Sequence, residues 1–148
     1  PGMARIIIDR GLYDVAFLQD FTDFPILVRQ DTGKRLLAGE VATLASEAEG
    51  RNIPDYRRLF VVRRGEDFRI LDPEKLDPTH AELEGEFEVT LTDGKTIQVE
   101  TVFTALRKNL APYTLDQVAA ITGLDPVQIE RVAVDAAENG PIHVIYGA

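Results

Sequence analysis

The chain has 148 residues, with 16 Lys+Arg against 25 Asp+Glu, a net charge of −9, and neither cysteine nor tryptophan. Disulfides, iron–sulfur clusters, cysteine-ligated zinc and thiol nucleophiles are thereby excluded for these residues. Two histidines, His80 and His143, and a single serine, Ser46, leave the usual catalytic set nearly empty. The length is that of one domain, residues 1–148, and 45% apolar residues suffice for a core. No apolar run approaches the roughly 18 to 20 residues that span a bilayer, and no basic-then-apolar leader opens the chain, so neither membrane insertion nor a signal peptide is expected. Pro1-Gly2 ahead of Met3 reads as a cloning remnant and is given no part in the expected fold.

In chain order, residues 3–10 and 14–21 place apolar side chains at helical spacing around Gly11, whose tolerance of positive φ suits a helix end. Pro25-Ile26-Leu27-Val28-Arg29, closed by Asp31-Thr32-Gly33, predicts a short buried strand. Residues 39–50 carry Val41, Leu44, Ala45 and Ala48 at offsets 0, 3, 4 and 7, which predicts a helix ended by Gly50 and Pro54. Residues 59–62 and 68–71 flank one turn, and residues 86–92 and 96–102 flank Asp93-Gly94, so two β-hairpins are expected. The Asp-Gly pair suits a type I′ turn, with Phe87, Val89 and Leu91 on one face and Glu86, Glu88 and Thr90 on the other.

A helix at residues 102–110 follows. Two capping boxes then open helices, Thr114 with Gln117 and Asp125 with Gln128, and Pro126 stands at the first helical position. The second helix is expected to bury Ile129, Val132, Ala133 and Ala136 and to stop at Asn139-Gly140. Residues 142–146 read as a strand closing on Gly147, and a helix feeding a glycine-ended strand is the layout of an α/β nucleotide site. The fold class is therefore α/β: short helices and strands of a Rossmann-like domain segment carrying two inserted β-hairpins.

Several short motifs invite chemistry that their surroundings refuse. Asp31-Thr32-Gly33 spells the aspartic-protease tripeptide, yet Arg29 and Gln30 precede it, Lys34 follows, and no second copy supplies the partner carboxylate. Gly33-Lys34 and Gly94-Lys95-Thr96 end like a P-loop, but Val28 and Val89 stand where its first glycine belongs. Ser46 lacks a glycine-flanked elbow, and no histidine pair falls at metal-ligand spacing. Ala119, Gly123-Leu124 and Ile129 fit a helix-turn-helix DNA reader. Against that, residues 126–138 sum to −2, within a second half (residues 75–148) whose 5 basic and 12 acidic side chains sum to −7; such a surface repels phosphate. Arg51, Arg57, Arg58, Arg63, Arg64 and Arg69 form a basic stretch read as a solvated hairpin face.

Taken together, several segments resemble the catalytic subunit of molybdopterin-dependent oxidoreductases, the family typified by dimethyl sulfoxide reductase and respiratory nitrate reductase. The resemblance runs through Gly11-Leu12-Tyr13-Asp14 with Phe17, Thr22 to Arg29 leading into Asp31-Thr32-Gly33-Lys34, and Leu83 to Val89 with Asp93-Gly94. It continues through Val102-Phe103, Tyr113-Thr114, Val118-Ala119, Ile121-Thr122-Gly123, Ile129, and residues 141–147.

Family members are several times longer, so the resemblance implies an internal segment of such a subunit, inactive alone. The intact enzyme would carry molybdopterin guanine dinucleotide with molybdenum or tungsten, none of it bound to this segment by itself. No catalytic or metal-ligating residue carries over. Tyr146, Gly147 and Ala148 are the cofactor-binding candidates, because the family's corresponding strand ends in a glycine loop facing cofactor. The implied partners are the remaining domains of the parent chain and an iron–sulfur electron-transfer subunit, with no nucleic acid. Two alternatives stand beside this reading: a stand-alone interaction module of the same fold, using the hairpin from Arg57 to Arg69, and the helix-turn-helix DNA reader.

Overall fold

A computed structural model describes residues 1–50, 59–71 and 80–140, and these fall into two compact units. The first to be described is Val15–Leu106. Helix α2 (Val15–Phe21) opens it, and β1 (Leu27–Arg29) follows. A 3-10 turn at Ala38–Glu40 leads to α3 (Ala45–Gly50), then to the hairpin of β2 (Phe60–Arg64) and β3 (Asp67–Leu71), and then to β4 (Glu86–Thr90) and β5 (Thr96–Thr101). The described strands form a three-stranded sheet in the order β1-β5-β4 and a two-stranded sheet β2-β3, antiparallel throughout. The α/β class and both hairpins are as the sequence predicts; the closing strand expected at residues 142–146 lies outside the described residues.

Register puts chemistry on opposite faces of β4-β5. Phe87 pairs with Val99 and Val89 with Ile97, so their apolar side chains share the face that joins Leu27, Leu36, Val41 and Val61 in the core. The intervening residues stay wet, and Gln98 donates Nε2 to Glu88 Oε1 at 2.8 Å across the strands. Isolated bridges Ile26–Val62 and Leu37–Phe60 tie the β2-β3 hairpin to this core.

Helix α4 (Val102–Leu110) begins directly where β5 ends, and its first amides are all satisfied. Val102 N–H donates to Ile26 O (2.9 Å), Phe103 N–H to Phe24 O (3.1 Å), and Thr104 N–H to the Oγ1 of the fully buried Thr101 (3.1 Å). Phe103, 1% exposed, then packs its ring 5.4 Å from that of Phe24.

The other unit comprises Pro1–Asp14 and the chain from Arg107 onward. Helix α1 (Gly2–Asp9) packs on α6 (Pro126–Glu138), and α5 (Leu115–Thr122) also packs on α6. Ile129 and Ala133 are buried on α6. Gly2 is buried so close to Val118 that an added Cβ would stand 2.6 Å from its Cγ2. Pro1-Gly2, given no part in the expected fold, therefore contributes a packed helical residue. Thr114 caps α5 as predicted: its side chain accepts from Gln117 N–H at 3.2 Å, while the Gln117 side chain accepts from Thr114 N–H at 3.3 Å.

Four local expectations are corrected. Residues 39–50 are not one helix, because Val41 is extended and bridges Leu91 while Ala42 N–H donates to Thr90 O at 3.0 Å; pairing with the hairpin overrides helical propensity there. The Asp93-Gly94 turn is not type I′. Leu91 N–H donates to Lys95 O, Gly94 N–H to Leu91 O, and only Gly94 has positive φ (+82°), which makes a three-residue loop ending in a left-handed glycine. Asp125 caps α6 through Val127 N–H (2.8 Å) and not through Gln128. Finally Val132, expected in the core, is 54% exposed.

Candidate functional site

The cofactor-binding candidates Tyr146, Gly147 and Ala148, together with His143, fall within residues 141–148, outside the described residues. Arg51, Arg57 and Arg58 of the basic stretch fall outside them as well. The remaining positions that could carry chemistry are all placed, and most of them build turns and caps.

Asp31-Thr32-Gly33 is a turn clamped by arginine. Strand β1 ends at Arg29, whose Nε and Nη2 donate to Asp31 Oδ1 and Oδ2 at 3.0 and 2.8 Å, while Nη1 reaches Glu40 Oε1 at 2.6 Å. The other oxygen of Glu40 accepts from Leu37 N–H at 3.0 Å. The guanidinium hydrogen bonds hold the exposed Asp31 carboxyl below the ordinary carboxylate range, and the same bonds, Asp31's foremost, keep Arg29 protonated more firmly than usual. A protease aspartate needs a neighbouring carboxylate to share its proton; here the second carboxylate is held apart by a cation. The Arg-x-Asp spacing was visible in the sequence, but the reach to Glu40, eleven residues on, was not.

The two P-loop echoes are also turns. Gly33, at φ +68°, closes the β1 turn with its N–H on Arg29 O (2.8 Å). Lys95 pairs with Asp93 at 3.2 Å, and its backbone N–H donates to Asp93 Oδ1 at 3.0 Å, which holds that carboxyl low. Neither loop curls its amides around a vacant centre. Ser46 is exposed on α3, and His80 is exposed at φ +39°.

On the hairpin β2-β3, Arg63 lies 4.6 Å from the Phe68 ring centroid and 5.4 Å from that of Phe87, and donates Nε to Gly65 O at 2.7 Å. Arg69 pairs with Asp67 at 2.8 Å. These two cations are spent on shaping the hairpin. On α6, Arg131 pairs with Asp135 at 3.5 Å, and Glu130 pairs with Arg10 of α1. The helix a DNA reader would insert thus carries more acidic than basic side chains and leaves the apolar Val127 and Val132 exposed. Among the described residues no group of three His, Asp or Glu could hold a metal ion, and no helix is long and apolar enough to cross a membrane.

What emerges is a mixed α/β segment whose distinctive residues serve turns, caps and sheet register. Comparison with known proteins says what kind of protein uses it. The chain is 33% identical, over 99% of its length, to a respiratory nitrate reductase subunit alpha of Haloferax mediterranei. It is 30% identical over 98% to a perchlorate reductase subunit alpha of Dechloromonas aromatica, and 35% identical over 84% to a dimethylsulfide dehydrogenase subunit alpha of Rhodovulum sulfidophilum. No protein-family model matches the chain. The chain belongs to the molybdopterin oxidoreductase family and corresponds to a segment of its catalytic subunits. It spans only 16%, 18% and 13%, respectively, of the lengths of these relatives.

Proposed function

We propose that these residues are an internal scaffold segment of the catalytic subunit of a molybdopterin-dependent oxidoreductase, contributing part of one pterin guanine dinucleotide site and inactive alone. The observation that carries the reading is near end-to-end similarity to alpha subunits several times longer than the chain. The residues that would face the dinucleotide are Tyr146, Gly147 and Ala148, whose glycine lets backbone amides approach a phosphate or a nucleotide edge.

Among the described residues no group of three His, Asp or Glu could hold a metal ion. In the intact enzyme the molybdenum or tungsten cofactor supplies the redox chemistry. The subunit-alpha names of the relatives support partner subunits, of which an iron–sulfur electron carrier is the one this family implies.

The natural reading frame and the mass of the native polypeptide test the proposal. A chain several times longer than 148 residues, purifying with molybdenum or tungsten and a pterin guanine dinucleotide, is the expected result. A natural product of this length overturns it. Within the long subunit, Gly147→Val is expected to lower the dinucleotide recovered per polypeptide; full recovery overturns the assignment of the glycine loop alone.

A further inference from the structure

The helical unit leaves large apolar side chains in solvent. Ile121, Leu124, Val127 and Val132 are 76%, 56%, 68% and 54% exposed. Beside them a groove of ≈ 460 Å³ runs between α1, α5 and α6, with Met3, Val118, Leu124, Ile129 and Val132 among its walls and no ionisable side chain in its lining. Leu124 and Val132 belong both to the exposed set and to the groove wall, and an exposed apolar groove of this kind marks an interaction surface.

We propose that this face is an interface inside the parent catalytic subunit, covered by an apolar stretch of the same polypeptide outside the 148 residues. The inference rests on the reading above. Three observations choose this occupant. The chain accounts for 13% to 18% of the length of the alpha subunits it matches, so most of the polypeptide of such a subunit is available to cover it. The groove admits only a few side chains, whereas a freely associating partner or a second copy needs roughly 1,200 to 2,000 Å² of shared interface. A covalently joined segment, present at an effective concentration of about millimolar, is held by a much smaller contact. Charge points the same way: no side chain of the lining is ionisable, and Glu130, Asp135 and Glu138 on α6 oppose a nucleic acid or an anionic lipid surface.

The test uses the full-length subunit with its cofactor. Val132→Cys and Ile121→Cys are each treated with a maleimide reagent, and modification of their own peptides is followed by mass spectrometry, first in native buffer and then in urea. Both thiols are expected to react at least about tenfold more slowly in the native subunit than in urea, as buried groups that open only on unfolding do. Native reaction faster than that at either position overturns the proposal. So does protection that fades on dilution, which marks a second copy, or that appears only with phosphatidylglycerol vesicles, which marks a membrane. A natural chain that ends near residue 148 fails the functional reading instead, while a long subunit with reactive thiols fails this inference alone.

Discussion

The sheet-bearing unit and the helical unit handle their apolar residues in opposite ways. Among the described residues, every buried hydrophobic except Leu110, Ile129 and Ala133 lies in Val15–Leu106. Conversely, Tyr113, Ile121, Leu124, Val127 and Val132 are exposed in the helical unit, whereas the exposed large hydrophobics described in the sheet-bearing unit, Val15, Phe17 and Phe21, are confined to its opening helix α2. Strands β4 and β5 close a core by cross-strand pairing, so each inward side chain meets partners from its own unit. Helix α6 buries Ile129 and Ala133 but leaves Val132 exposed, part of an apolar stripe that lines a groove with Leu124. A segment of a large subunit can thus hold a self-sufficient core in one part while another part is written for contacts the segment does not contain.

That contrast predicts a large asymmetry between two truncations. Phe103→Ala empties a site that is 1% exposed and packed at a tilt against Phe24, and should cost ~3–5 kcal/mol. Val132→Ala, on the exposed stripe, should stay within about 0.5 kcal/mol in the 148-residue chain. Urea unfolding followed by circular dichroism measures both. A Val132→Ala cost approaching that of Phe103→Ala would break the comparison, because the stripe would then already be packed within the chain.

How much of this was legible beforehand depended on the range of the interactions. The hairpin of β4 and β5 and the Thr114 cap are decided within a few residues, and both stand where the sequence put them. The helix expected at residues 39–50 failed because Val41 and Ala42 answer to Leu91 and Thr90, about fifty residues away. Val132 failed for a different reason: helical periodicity marks which face is apolar, not whether a neighbour exists to cover it. The family resemblance was legible through residues that prove to be backbone devices. Gly11, Gly33, Gly94 and Gly123 all take positive φ, and at Gly85 an added Cβ would fall 2.3 Å from the Phe87 ring. Their order points to the family but carries no chemistry, and the residues proposed to face cofactor, Tyr146, Gly147 and Ala148, lie outside the described residues.

A smaller effect sharpens the contrast from the helical side. Thr114→Ala removes the side-chain acceptor for Gln117 N–H at the start of α5, and should cost about 1 kcal/mol. Thr114→Asp should recover most of it, since a carboxylate caps the same amide and favours the positive end of the helix. Denaturant midpoints of the two variants check this. Equal losses in both would mean that the packing of α5, and not its cap, sets its stability.

The smallest expected effect belongs to the sheet unit and is seen only in acid. Arg29 remains protonated across the accessible range, so Asp31 is the titrating member of their bidentate pair. Its carboxyl is held below the ordinary range by hydrogen bonds from Arg29, so its stabilising contribution is complete above the unfolded value, about pH 4. It is lost as pH falls through the lower folded value. Stability should therefore be insensitive to Asp31 between pH 5 and pH 7, about one to three units above that threshold, and should decline on further acidification. Asp31→Asn should flatten that acid limb while changing neutral-pH stability little, because the pair is exposed and Arg29 keeps its 2.6 Å bond to Glu40. Denaturant melts at stepped pH measure the limb. An unchanged limb in Asp31→Asn would assign the β1 turn to the Arg29–Glu40 arm, which joins the strand to the chain segment that bridges Leu91.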